Sequence, residues 1–428
     1  MSLSIADYLK KVQALNFEEH PYSEVDLIPL IEMTYLPIER WVPTLTAARH
    51  GQHAKPITLA ELYQQFAAHE AAHCHKYPLL VTDYRCQLFE QLAKNPRYRD
   101  IQFSYLHKKL DHRYTMQFTA LVVTLPQVAE QIIIFRGSTA SLLSWEENAL
   151  LATETTVAAQ IEALYYLQAL FEQLPGPFTI AGHSKGGNLA FFAALFSDYE
   201  DARSPFITAK KRLSSHQIKH VYNFDGPGLS RDCFQQVSTH PLRQRLTKYI
   251  PESAVIGNKL QQVVTSQIVA SRSFSIFQHD MHYWQVDEDT LRLEKAASVT
   301  ALSSIFDEVY RQWTQEFEPL VMQRFYLDFF KMLEALGYQS FHDIEKDGLD
   351  FLKRAKAYYD ALDPEEKAPF KQISRRFLEI FQEKLLDYSD RFAPLSSAQT
   401  VTDQLSKKYH QFTHRVETAL HELFPPWS

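Results

Sequence analysis

Glycine is scarce in this chain, at 11 of 428 residues, whereas Phe and Tyr number 29 and 22. No low-complexity tract or internal repeat is visible, and the balance predicts much helix around a well-filled core. Long basic runs are also missing, and the formal net charge is −7. Without a positive field there is nothing to hold a phosphate backbone, so no nucleic-acid partner is expected. The three cysteines, Cys74, Cys86 and Cys233, lack CxxC spacing. They argue against a disulfide framework and fit a reducing compartment. The segment Met1 to Gln13 has no apolar h-region, which argues against a secretion signal. The strongest apolar stretch, Thr119 to Phe135, is broken by Pro126, Gln127, Glu130 and Gln131. A membrane helix needs about 20 predominantly apolar residues in a row, so no integral membrane segment is expected. The chain reads as cytoplasmic.

A chain of this length exceeds what one compact core usually holds, which predicts one large and one small domain. Residues 1–100 read mainly as helices. One of them opens with a capping box, Thr58 and Glu61, ahead of the apolar stripe Leu59, Leu62, Phe66. Within residues 101–295 the pattern turns to short β-rich runs alternating with helical ones. Candidate strands are Thr119–Leu125, Gln131–Phe135, Phe178–Ala181, His220–Phe224 and Leu246–Ile250, with helices near 156–173 and 185–197. Alternation of this kind is the signature of an α/β fold with a largely parallel central sheet covered on both faces. The first two strands read as a hairpin at the sheet edge. Residues 296–428 read as a helical C-terminal domain, with Leu and Phe recurring at helical spacing and breaks at Asp363-Pro364 and Pro394 to Ser397.

The sharpest motif is Gly182-His183-Ser184-Lys185-Gly186, a G-x-S-x-G between a β-rich run and a helix-forming one. A serine on so tight a strand-to-helix turn is forced to project its hydroxyl, and the flanking glycines let strand and helix approach. The next backbone N–H, that of Lys185, opens a helix whose dipole favours an oxyanion. An apolar strand ending in Arg136-Gly137-Ser138 offers a second donor at Ser138.

The succession Phe135-Arg136-Gly137-Ser138, Trp145, Gly182 to Gly187 (GHSKGG) and Phe224-Asp225-Gly226-Pro227-Gly228 resembles the class 3 lipase branch of the α/β-hydrolases. The chain resembles still more an uncharacterised bacterial family of such hydrolases, over about its first 290 residues. The resemblance implies an α/β-hydrolase fold, Ser184 as nucleophile, Ser138 as the second oxyanion contact, and a triad in the order Ser, acid, His. The base is then read as His279 in Gln278-His279-Asp280-Met281-His282, with His282 as the alternative. In the lipases an Asp follows the next strand after FDGPG; here that place reads Tyr249-Ile250-Pro251-Glu252-Ser253. The acid is therefore left between Glu252 and Asp225, the latter also readable as an Asx-turn residue before Gly226. Lys185 is a second departure, since a cation beside a helix N-terminus is disfavoured. It calls for an acidic partner, an anionic substrate group, or escape of the side chain into water.

A rival motif, His69-Glu70-Ala71-Ala72-His73, matches the H-E-x-x-H of zinc peptidases, with Glu90 as a candidate third ligand. Lys76 and Leu79 stand where the metzincin pattern has Gly and His, and the histidines continue an apolar helix stripe. The expected function is thus a serine hydrolase cleaving a small-molecule ester or lipid through an acyl-enzyme, with no metal or organic cofactor. The alternative is a hydrolase-like binding protein without catalysis. The C-terminal helices are read as a lid, a docking surface or a means of forming a homo-oligomer.

Overall fold

The computed structural model describes residues 2–46, 55–69, 83–197, 215–273, 275–340, 343, 347 and 349–392. The chain divides into two compact units, Met1–Ser303 and Ser304–Ser428. Helices of the first unit are α1 (Ile5–Lys11), α2 (Glu24–Met33), α3 (Leu59–His69), α4 (Asp83–Lys94), α5 (Leu142–Leu150), α6 (Ala158–Phe171), α7 (Lys185–Leu195) and α8 (Arg231–Val237). Its strands are β1 (Ser2–Leu3), β2 (Ile57–Thr58), β3 (Gln102–Asp111), β4 (Met116–Leu125), β5 (Glu130–Phe135), β6 (Phe178–His183), β7 (Ile218–Phe224), β8 (Leu246–Pro251), β9 (Ser266–Val269) and β10 (Val286–Asp287).

Strands β2 to β9 form one eight-stranded sheet in sequence order, while β1 pairs with β10. Pairing is antiparallel from β2 to β5 and parallel from β5 to β9. The β4–β5 hairpin turns at Pro126, as the proline suggests. It is not the sheet edge, because β3 and the short β2 extend the sheet beyond it. Strand β3 carries His107, Lys108 and Lys109 and lacks an apolar run, which hides it from a reading by hydrophobicity.

Side chains alternate across the sheet with the period of two that a strand imposes. Ile132 and Ile134 join a core shared with α1 to α4, whereas Ile133 and Phe135 join the core shared with α6 and α7. Every residue of β6 is buried, as expected for a strand with helices on both faces. The N-terminal helices start where their caps dictate. Ser4 with Asp7 and Ser23 with Asp26 form reciprocal capping boxes, and the expected Thr58–Glu61 pair does the same ahead of α3.

Arg97 ties these N-terminal helices together. Its buried guanidinium donates to both Asp26 oxygens (3.1 and 3.2 Å) and to the carbonyls of Leu15, Asn16 and His20 (3.0–3.1 Å). The fork geometry suits only arginine.

The elements described in the second unit are helices: α9 (Ala301–Gln315, which crosses the boundary), α10 (Pro319–Ala335), α11 (Leu349–Ala361) and α12 (Pro364–Phe392). Ile305, Val309 and Trp313 recur every fourth residue along one face of α9. They pack with Met322, Ile373 and Ile380, and the Trp313 indole donates to the Ile373 carbonyl at 2.9 Å. The Asp363-Pro364 break separates α11 from α12, with Pro364 at the first helical position, where its missing N–H costs nothing. The Pro394–Ser397 break lies outside the described residues.

No helix among the described residues is long and apolar enough to cross a membrane. Cys233 is a buried free thiol. Cys86 is disulfide-bonded, which corrects the expectation of reduced cysteines and removes that support for a reducing compartment. Replacing Arg97 by Met would strand the buried Asp26 charge. A loss of about 3–5 kcal/mol is expected, read as a lower urea midpoint.

Candidate active site

The turn from β6 to α7 places Ser184 at φ 57° and ψ −129°. A non-glycine residue in this region costs of order 1–3 kcal/mol and persists only where its surroundings enforce it. Here the enforcement is visible. The Ser184 N–H donates to the Phe224 carbonyl on β7 at 2.9 Å. A Cβ on Gly182 would stand 2.2 Å from the Gly186 carbonyl oxygen, and one on Gly186 would stand 2.1 Å from that of Phe135. Only glycine at both places lets strand, turn and helix close up this far.

The turn after β5 abuts the serine, since a Cβ on Gly137 would lie 3.2 Å from Ser184 Cβ. Ser138 follows, largely buried, its Oγ accepting from Asn148 Nδ2 at 2.7 Å. The Lys185 N–H opens α7, where no earlier helical carbonyl is available to accept it. The N–H groups of Lys185 and Ser138 thus come from the two segments that flank Ser184.

The Lys185 side chain turns away from solvent. It is 1% exposed, and its ammonium donates to Glu147 Oε2 (2.6 Å), the Gln117 carbonyl (2.8 Å) and Ser144 Oγ (3.4 Å). Glu147 also accepts from the N–H groups of Gln117 and Ala159. The acidic partner is therefore an internal one, and neither an anionic substrate group nor water receives this charge.

His279 lies on a short helical turn after β9 with its side chain 25% exposed, and its Nδ1 is 2.7 Å from Asp225 Oδ2. Asp225 is fully buried at φ 47°, and its second oxygen accepts from the Gly257 N–H at 3.1 Å. Burial pushes this carboxyl above the usual carboxylate range, against the pull of the His279 hydrogen bond. A carboxylate can only accept, so the proton in this bond sits on His279 Nδ1. No hydrogen bond joins Ser184 Oγ to Nε2. Glu252 is half-buried, and its carboxylate makes no hydrogen bond or ion pair with any described residue. Between the two candidate acids, the geometry puts Asp225, not Glu252, on the histidine. His282 is engaged elsewhere, with Nδ1 3.3 Å from Asp280 Oδ1 and its ring stacked on Tyr84.

Two further groups, not anticipated from the sequence, hold this loop. His183 Nε2 donates to the His279 carbonyl (2.8 Å), so its Nδ1 accepts from the Tyr35 hydroxyl (2.9 Å). Burial, together with the nearby His279, keeps His183 far below the usual imidazole range and hence neutral. Arg85, paired with the buried Glu32, reaches Asp280 at 3.2 Å. Burial alone would push Asp280 up, but the hydrogen bond with His282 and the Arg85 charge hold it at about 2. No motif marks Tyr35, Glu32 or Arg85, because their part is set by packing of the N-terminal helices.

Of the rival zinc motif, His69 ends α3 exposed, its Nδ1 donating to the Gln65 carbonyl at 2.8 Å; Glu70 to His73 lie outside the described residues. Among the described residues no cluster of three His, Cys, Asp or Glu side chains is arranged to hold a metal.

The chain belongs to the Mbeg1-like family, whose model matches residues 92–331, more than half of its length. Among curated proteins none matches it. It is similar to the crystal structure of M37 lipase at 12% identity and a TM-score of 0.35, over 71% of this chain and 97% of that one.

Replacing Lys185 by Met would leave the Glu147 carboxylate buried without its cation, for an expected loss of about 3–5 kcal/mol. Adding Glu147→Gln, which removes the stranded charge but keeps an acceptor for only one of the two amides bonded to its separate oxygens, is expected to recover part of that loss. A denaturation double-mutant cycle measures both.

Proposed function

We propose that the chain is a serine hydrolase of the α/β-hydrolase fold that cleaves a carboxylic ester through an acyl-enzyme on Ser184. The observation that carries this reading is the left-handed Ser184 turn one strand away from a buried Asp225 paired to His279. Membership of the family extends across both segments.

In the proposed mechanism His279 Nε2 removes the Ser184 hydroxyl proton as Oγ bonds to the ester carbonyl carbon. Asp225 keeps the imidazole in the required tautomer and stabilises the imidazolium that forms. The N–H groups of Lys185 and Ser138 receive the developing oxyanion. Collapse of the tetrahedral intermediate breaks the carbon–alkoxide bond, and the proton on Nε2 passes to the leaving alcohol. Water, deprotonated by the same nitrogen, then frees the acid and restores Ser184. Every proton moves through His279, so the scheme needs neither a metal nor an organic cofactor. We also propose that residues 1–100 and 101–295 form one hydrolase domain and 296–428 a helical one.

Labelling with a fluorophosphonate probe tests the reading. Wild type is expected to label stoichiometrically and Ser184→Ala not at all. The labelling rate should fall by about 10²–10⁴ in His279→Ala and by about 10⁴ in Asp225→Asn. Glu252→Gln should stay within about twofold of wild type, since its carboxylate has no partner at the site. Folded wild type that does not label would reject the hydrolase in favour of a binding protein built on the same fold.

A further inference from the structure

Five cationic side chains are buried among the described residues: Arg85, Arg97, Arg136, Lys185 and Lys248. Four of them meet a carboxylate, on Glu32, Asp26, Glu39 and Glu147 respectively. Lys248 is the exception. It sits on β8 at 1% exposure, and its ammonium donates to the Gly257 carbonyl (2.7 Å) and to Gln262 Oε1, both neutral. A buried charge satisfied only by neutral oxygens is costly, so its place asks for an explanation.

Its surroundings lead to the candidate site. Gln262 Nε2 donates back to the carbonyls of Gly257, Lys259 and Leu260, so residues 257–262 are wound around the Lys248 ammonium. The same loop supplies the Gly257 N–H that anchors Asp225 Oδ1. Gly257 is pressed so close that a Cβ there would stand 2.2 Å from that oxygen. Gly257 is thus gripped on one side by Lys248 and presents its N–H to the carboxylate on the other. The charged and titratable groups bearing on Lys248 are Asp225, at the end of the neighbouring strand, and through it His279.

We propose that Lys248 is a positioning residue for the Asp225–His279 pair, fastening the loop that anchors Asp225 and setting a positive charge behind its carboxylate. This rests on the reading of His279 as the base. A cation there stabilises the carboxylate and lowers the proton affinity of the imidazole beyond it. Burial pulls the Lys248 ammonium down to about 7, opposed by Asp225. The charge therefore declines as pH rises through about 7, the range in which a histidine base works.

The test is an NMR titration of the His279 imidazole in the full-length protein, with the resonance assigned through His279→Ala. In Lys248→Met the His279 midpoint is expected to rise by about half a unit or more, while Lys248→Arg, which keeps the charge at every pH of the titration, should not raise it. An unmoved midpoint in Lys248→Met, or an equal rise in Lys248→Arg, would overturn the proposal, because a purely packing role does not follow charge. If Lys248→Met does not fold, the Lys248 ε-carbon is titrated in wild type and Asp225→Asn. The midpoint should fall by about half a unit or more in the variant, and an unchanged midpoint overturns the proposal. Neither titration needs turnover. A protein that fails to label at Ser184 yet shows these shifts would lose the hydrolase reading alone.

Discussion

The first unit is arranged around one strained residue between a fully buried strand and a fully buried helix. Ser184 keeps its left-handed backbone because its N–H is held by the Phe224 carbonyl and because strand, turn and helix leave no room to relax. The neighbouring glycines are consequences of that closure. So is the burial of Lys185: the residue that opens α7 points into the layer between the sheet and α5, and a lysine there needs an internal anion. Glu147 meets that need and also accepts the N–H groups of Gln117 on β4 and Ala159 at the start of α6. A charge that looks unfavourable beside a helix dipole thereby becomes a clamp joining α5, α6, α7 and the sheet.

The N-terminal helices serve the site in the same indirect way. Tyr35 orients His183, His183 holds the His279 carbonyl, and Arg85 with Glu32 holds Asp280. The residue before the proposed base is also tied: the Gln278 side chain accepts from the Ser253 N–H, and its carbonyl accepts from the Trp284 indole. In such a buried network each hydrogen bond strengthens its neighbours, although Glu32 Oε1 and Arg85 Nη1 find no partner in it. Substitutions at Tyr35 or Arg85, which do not adjoin Ser184 in the chain, therefore act through the loop that presents His279.

What was legible in the sequence follows from how local each signal is. The Ser184 turn is written in five consecutive residues, and the strands β5 to β7 in short runs rich in Ile, Val and Phe that need no partner to be seen. Strand β3 was missed because its outer half is polar and its pairing with β4 is a tertiary fact. The choice between Glu252 and Asp225 could not be made from order along the chain. Each follows a strand, and only the direction of the side chain separates them. The left-handed Asp225 backbone, which turns its carboxylate toward His279, has no counterpart in composition. Lys248 carried no signal at all, since a lysine on a strand reads as an exposed residue until the strand's neighbours are known.

The placement of the carboxylate has a mechanical consequence. In the parallel register of β6 and β7, His183 stands opposite Phe224, so Ser184 and Asp225 leave adjacent strand ends side by side. One hydrogen bond, from the Ser184 N–H to the Phe224 carbonyl, joins the two turns directly. The separation of the proposed nucleophile and acid is thus set by the spacing of two hydrogen-bonded strands, about 4.8 Å, and cannot drift unless the sheet centre opens. His279 is different. It arrives on a loop after the last strand of the sheet, is held at its carbonyl and at Nδ1, and makes no hydrogen bond to the serine. Neither tether engages Nε2, the atom that the proposed mechanism brings to Ser184. In the proposed mechanism the serine and the carboxylate are the rigid members, and closing the last contact of the triad falls to the histidine.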